Sequence, residues 1–312
     1  MNFADTLHQA TQDKKSFLLA GIDPRPDLIP HLFHTQASIS SKTDSEYIQK
    51  LFFEFYSFAL KHIQSDIVAV KPNIAFFEQY GLAGLTALKQ IVSFARDLAL
   101  PIILDAKRGD IGSTANAYAK AYLSETELDN RIFTMLHADA ITVNPFLGFD
   151  TVESFTSICK ETGKGIFVLV RTSNPGSGDI QNIRGEDGRT ISESIADWVT
   201  ENGKALTGSC GISSLGAVVG ATYPQELAEL RQRMPNTFLL IPGYGAQGGS
   251  ASELGCGFRQ SGDVSSGAII NASRGLFSNF KDLAASKEDL ATQITTIAKG
   301  LKDDLNSALP FN

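Results

Sequence analysis

Residues 101–107 read Pro101-Ile-Ile-Leu-Asp105-Ala-Lys107, a short apolar run that ends in two charges. The run Pro101–Asp105 shows no polar alternation before its end, so neither face is meant for water. That is the pattern of a strand in a parallel sheet covered on both sides. Seven further runs share it: Phe17–Ile22, Ile67–Lys71, Ala140–Asn144, Gly165–Val170, Leu215–Gly220, Phe238–Ile241 and Gly267–Asn271. Amphipathic, helix-like segments separate them over Glu46–Ile63, Ala83–Leu98, Ser113–Leu123, Thr151–Thr162, Thr190–Gly203, Pro224–Arg233 and Glu288–Leu301, with a short, poorly defined one around Ser250–Gln260. Eight strands in strict alternation with helices predict an α/β fold, a closed (β/α)8 TIM barrel rather than an open sheet. No composition break divides residues 1–312, which read as a single barrel domain. Two insertions stand out. Residues 23–45 read as a polar surface loop. Residues 174–189 (NPGSGDIQNIRGEDGR) follow the fifth strand, on the side where barrels carry active-site loops; they fit a lid and a plain surface insertion equally well.

Composition narrows the function classes. The 312 residues are 43% hydrophobic and 20% charged, with a formal net charge of -7 at pH 7. An acidic chain repels polyphosphate backbones, which argues against nucleic acid as a partner; a small anion would need a local cluster of donors. No stretch approaches the ~20 apolar residues of a membrane span. The N-terminal MNFADTLHQATQDKKS lacks the apolar run of a secretory leader. The three cysteines, Cys159, Cys210 and Cys256, lie far apart with no disulfide or CxxC pattern, which points to a reducing cytoplasm. The five histidines show neither HxH nor HExxH spacing, so neither metal nor cofactor is expected.

Chemistry gathers at the strand ends. Asp23, Lys71, Asp105 with Lys107, Asn144, Thr172 with Ser173, Gly243, and Ser273 with Arg274 close seven of the eight runs. Polar residues there form the catalytic face of a barrel. On an extended chain Asp105 and Lys107 share a face, and Asp110 follows to give Asp-x-Lys-x-x-Asp. A lysine between carboxylates keeps its proton, which makes it a poor nucleophile and a capable general acid. Lys71, from the adjacent strand, would complete an alternating charge array. The bland alternative is an ion-pair network bracing the barrel mouth, and the cost of burying several charges weighs against it. A second cluster joins Pro242–Gly249 (PGYGAQGG), whose glycines let backbone N–H groups approach an anion, to Arg274, a guanidinium suited to bidentate phosphate binding.

These residues resemble a known family. Asp105–Ala119 (DAKRGDIGSTANAYA) is similar to the third-strand motif of the orotidine 5'-monophosphate decarboxylase family in its bacterial type 2 form. Gly21-Ile-Asp23, Val70-Lys-Pro-Asn73, Val143-Asn-Pro-Phe-Leu-Gly148, Thr172-Ser-Asn-Pro-Gly176, Pro242–Gly249 and Ser273-Arg-Gly275 follow in the family's order, so the likeness runs from about Asp23 to Arg274. The resemblance implies cofactor-free conversion of orotidine 5'-monophosphate to uridine monophosphate and carbon dioxide. It implies that Lys107 protonates C6 and that Asp105 sits beside the substrate carboxylate. Lys71 and Asp23 would meet the ribose hydroxyls, and Ser173 would hydrogen-bond the pyrimidine. Gln247 and Arg274 would grip the phosphate, with Ser273 also on the substrate. A homodimer is implied too, in which Asp110, Ile111 and Thr114 reach into the partner's site. Asn144 receives no role.

Two alternatives stand beside this reading, one an enzyme of the same superfamily and one from a different class. The shorter Asp-x-Lys-x-x-Asp also occurs in magnesium-dependent sugar-phosphate decarboxylases and aldolases, which carry Glu or Asp where this chain has Lys71. A non-catalytic phosphosugar-binding barrel is the other, and the full set of charged residues weighs against it.

Overall fold

The computed structural model describes residues 2–244, 251–261, 264–278, 280 and 286–309. All eight expected strands form: β1 (Leu18–Ile22), β2 (Ala69–Pro72), β3 (Ile103–Arg108), β4 (Ala140–Val143), β5 (Gly165–Arg171), β6 (Ser213–Val219), β7 (Thr237–Pro242) and β8 (Ala268–Ala272). They pair in parallel in the order β2-β1-β8-β7-β6-β5-β4-β3. Isolated parallel bridges, Val70 to Ile102 and Asn73 to Asp105, join β2 to β3 and close the ring. The longer helices are α1 (Phe3–Lys14), α2 (His31–Ser40), α3 (Asp44–Ile63), α4 (Gly81–Asp97), α5 (Gly112–Leu123), α6 (Phe149–Thr162), α7 (Ile191–Gly203), α8 (Pro224–Arg233) and α9 (Lys287–Ala308).

Alternate strand residues serve two cores. Ile102, Leu104, Val168 and Ile270 pack outward among helix residues. Leu19, Ala69, Ile103, Phe167 and Phe238 fill the barrel interior. Helix α1, which the sequence did not announce, plugs the floor of that interior. Phe3, Ala4 and Leu7 join the inner cluster, with the Phe3 ring edge-on to Phe167 at 6.0 Å. Asn2 caps the helix by accepting the Ala4 N–H, and the Phe3 N–H donates to the Gly163 carbonyl at 2.8 Å. Full burial of Phe3 and Leu7 stabilises by roughly 1.5–3 kcal/mol each. With the floor sealed, the open side is the C-terminal mouth.

Residues 23–45 are not the loop expected. They contain a 3-10 turn (Pro26–Leu28) and α2. Ile29, Phe33 and Ala37, four apart, are buried, and His34 links the Pro26 carbonyl to the Tyr47 hydroxyl on α3. One narrow apolar stripe suffices to dock a short helix, although polar neighbours dominate the composition. An exposed hairpin (Thr126–Leu128 with Arg131–Phe133) between α5 and β4 was likewise unforeseen. The 174–189 segment holds a 3-10 turn (Pro175–Ser177), one helical turn (Gly178–Gln181) and a bridge from Arg184 to Thr190. The weak helix near 250–260 is Ala251–Leu254 followed by a 3-10 turn.

Candidate active site

At the barrel mouth one carboxylate holds two ammonium groups. Asp105 Oδ2 lies 2.7 Å from Lys71 Nζ, and Oδ1 lies 2.6 Å from Lys107 Nζ. Lys71 and Asp105 are buried, 5% and 8% exposed, while the Lys107 side chain is 49% exposed. Burial by itself would raise the Asp105 pKa; the two neighbouring ammonium groups and their hydrogen bonds hold it well below the usual carboxylate range. Asp105 is thus a fixed anion that orients both lysines.

A residue the sequence reading passed over completes the array. Thr142, on the inward face of β4, donates its hydroxyl to Asp105 Oδ1 at 3.0 Å and accepts the N–H groups of Ala106 (3.0 Å) and Lys107 (2.8 Å). One hydroxyl so uses its donor and both lone pairs. The available signal was alternation: Ile141 and Val143 face the helices, so Thr142 between them faces the barrel interior.

Lys107 does not reach the site along an extended strand, as two-residue spacing suggested. Its φ is +47°, and the β3–β4 register shifts between Leu104 and Arg108. A left-handed lysine carries backbone strain of about 1 kcal/mol or more. The two N–H bonds to Thr142 hold the kink. Beyond it, Gly109 passes so close to β4 that an added Cβ would stand 2.6 Å from the Asn144 carbonyl oxygen. Arg108 braces the turn, paired with Glu78 at 2.6 Å and lying over the Tyr118 and Tyr122 rings.

Asp110 does not flank Lys107 as its sequence position suggested. Its Oδ1 accepts the N–H of Ile111 at 2.8 Å, and among the described residues it forms no ion pair. Ile111 and Thr114 are exposed. Among the described residues the lysine therefore pairs with one carboxylate, Asp105.

Across the mouth, Asp23 Oδ2 accepts the Ser273 hydroxyl at 2.6 Å, tying the ends of β1 and β8. Asp23 Oδ1 is buried with no partner among the described residues, an acceptor left open. Both residues line a cavity of about 300 Å³ with Arg25, Tyr56, Phe76 and the exposed Arg274. Arg25, which the sequence reading did not single out, gives that cavity a second guanidinium. Ser173, partly exposed, stands just past β5. Gln247 lies outside the described residues. Asn144 is a turn residue: its Oδ1 accepts the Phe146 N–H at 3.1 Å. A larger cavity, about 880 Å³, lies outside the barrel between α2, α3 and α9, lined by Ile39, Phe58, Lys61 and Lys287. It contains none of the charge array.

A lysine–carboxylate–lysine array, buried at Lys71 and Asp105 and half exposed at Lys107, suits proton delivery next to a bound phosphosugar. The chain's relatives agree with that chemistry. A Rhodopirellula baltica orotidine 5'-phosphate decarboxylase is 42% identical over 88% of this chain and 87% of its own. The enzyme of that name from Caldicellulosiruptor saccharolyticus is 36% identical over 99% of both chains. Among solved structures, a Leishmania donovani OMP decarboxylase superposes with a TM-score of 0.66 at 33% identity, covering 96% of this chain and 99% of that one. A Streptomyces avermitilis chain assigned the same activity reaches 0.77 at 31% identity, covering 98% and 95%. No described helix is long and apolar enough to cross a membrane. Residues 53–288, which include the whole Lys71–Asp105–Lys107 array and Arg274, match the family model, and the chain belongs to the orotidine 5'-phosphate decarboxylase / HUMPS family.

Proposed function

We propose that Lys107 is the proton donor in a decarboxylation of orotidine 5'-phosphate, with Asp105 and Lys71 as its electrostatic frame. The chain is an orotidine 5'-phosphate decarboxylase, a carboxy-lyase that forms UMP and carbon dioxide. The bond from C6 to the carboxylate breaks, its electron pair stays on C6, and carbon dioxide leaves. The Lys107 ammonium stabilises that pair and then donates a proton to it. Asp105, held ionised, sits beside the scissile carboxylate and favours its departure. The observation that carries this reading is the array itself: two cations clamped on one buried anion, with the half-exposed Lys107 facing the mouth. Its exposure also lets it regain a proton from solvent after turnover.

Asp23, with Lys71, would take the ribose hydroxyls, an assignment favoured by its open Oδ1. Ser173 would bind the pyrimidine. Arg274, with Ser273 and Gln247, would bind the phosphate, whose contacts can hold the ring in place from a distance. The working unit would be a cytoplasmic homodimer in which Asp110, Ile111 and Thr114 complete the partner's site. In favour of this, Ile111 is 63%, Phe146 73% and Leu147 51% exposed, all in segments just past β3 and β4. The three cysteines are free, which suits a reducing compartment.

The magnesium-dependent alternative meets an electrostatic obstacle: Lys71 and Lys107 both repel a divalent cation from Asp105. The deciding experiment is spectrophotometric loss of orotidine 5'-phosphate with and without exhaustive chelation. Equal rates are expected; activity lost to chelator and restored by magnesium would move the assignment to the alternative.

A further inference from the structure

The arginine that ends β5 takes no part in the chemistry above, yet it is 4% exposed and bonded on every side. Nε donates to Glu226 Oε2 at 2.5 Å and Nη2 to Glu226 Oε1 at 3.3 Å, a forked pair with the first turn of α8. Nη1 donates to Ser177 Oγ at 3.0 Å and to Gln181 Oε1 at 3.3 Å, both within the 174–189 insertion. The Tyr223 ring centre lies 5.3 Å from Cζ.

The network returns to the strand end. Gln181 Oε1 accepts the Thr172 N–H at 3.0 Å, and Gln181 Nε2 donates to Thr172 Oγ1 at 2.8 Å. Ser173 follows, its carbonyl accepting from Thr222 Oγ1 at 3.5 Å. On its other side Gly220 leaves room: an added Cβ would come within 3.1 Å of the Ser173 Cα. Ser173 is therefore met directly by the loop after β6, and the insertion holds it through Thr172, its neighbour at the end of β5. The register of β5 on β6 shifts between Leu169 and Arg171, so strand pairing alone does not set its place.

We propose that Arg171 is a positioning residue for Ser173: its fork ties α8, the 174–189 insertion and the end of β5 together, and so fixes where the Ser173 hydroxyl stands at the mouth. An apolar residue could glue the same elements, and burying a guanidinium is costly. What the planar fork adds is fixed geometry, which a lysine ammonium does not reproduce. The inference rests on the assignment of Ser173 to the pyrimidine.

The test compares two inhibitors, UMP with a base and ribose 5-phosphate without one, on the wild type, Arg171→Lys, Glu226→Gln, Ser173→Ala and the Arg171→Lys/Ser173→Ala double variant. Arg171→Lys and Glu226→Gln should weaken UMP by about tenfold while ribose 5-phosphate stays within about twofold. In the Ser173→Ala background the lysine substitution should cost less than about twofold for UMP. Equal weakening of both inhibitors, or an undiminished penalty without Ser173, would overturn the proposal and leave Arg171 as packing. Glu226→Gln carries the same test if Arg171→Lys fails to fold. Failure of Ser173→Ala itself to weaken UMP would overturn the pyrimidine assignment, whereas a Ser173→Ala loss without any loss in Arg171→Lys or Glu226→Gln would overturn the clamp alone.

Discussion

The fifteen residues Asp105–Ala119 build two regions of opposite character. At its start, Asp105 is buried and bonded to Lys71, Lys107 and Thr142. A few residues later Asp110 bonds, among the described residues, its neighbour's N–H, and Ile111 and Thr114 are exposed. The division falls at Gly109, where the chain crosses the Asn144 carbonyl and leaves the barrel. Residues within β3 are fixed by their own barrel. Those beyond it are offered outward, where a second chain can use them. One contiguous motif thus carries both a buried array and an outward-facing segment, and the proposed dimer would put the second to use in the partner's site.

The sharpest break between the two regions should come from Lys107→Ala. Turnover of orotidine 5'-phosphate should fall by at least about 10⁴-fold, while the melting temperature stays within about 2 °C because the side chain is half exposed. A folded variant with near-wild-type turnover would sink the proton-donor assignment.

Asp105→Asn probes the buried half through stability. The folded carboxyl titrates below its unfolded counterpart. Asp105 therefore contributes stability above the unfolded carboxylate range, and loses it as pH falls through that range toward the lower folded value. The variant should be about 3 kcal/mol less stable at pH 7, since two lysines are left facing each other. The gap should narrow steadily below about pH 4. Denaturant melts across pH would read it; a gap unchanged by acid would mean that the Asp105 charge is not the source of the lost stability.

Arg274→Ala lies outside both halves and serves as their control. It should lower kcat/KM by about 100-fold on the phosphorylated substrate and barely change activity on a truncated one lacking phosphate. Equal losses on both would place the phosphate elsewhere.

The mildest readout sharpens the comparison most. Inactive Lys107→Ala and Asp110→Ala subunits, mixed and allowed to exchange, should recover up to roughly a quarter of wild-type activity, because each heterodimer has one site free of both defects. If mass measurements verify exchange and activity stays absent, each site is built from one chain.

The eight strands were legible in sequence because a strand buried on both faces leaves an unbroken apolar run, and the charges that end those runs pointed to the mouth. The charged pair of β3 was legible as residue identities, but its geometry was not. Spacing put Asp105 and Lys107 on one extended face, whereas a bulge and a left-handed Lys107 bring them together. Thr142 hid among the apolar residues of β4. Helices α1 and α2 were missed because each docks by a few apolar residues set among polar ones.

Local pattern, then, determined the fold class and the chemical inventory, since periodicity and charge are properties of neighbouring residues. Tertiary structure alone decided which groups touch. The Lys71–Asp105 pair spans 34 positions and the Ser273–Asp23 bond spans 250. Such contacts depend on closing the ring, which brings β8 back beside β1 and β2 beside β3, and no local signal in the chain encodes that closure distance.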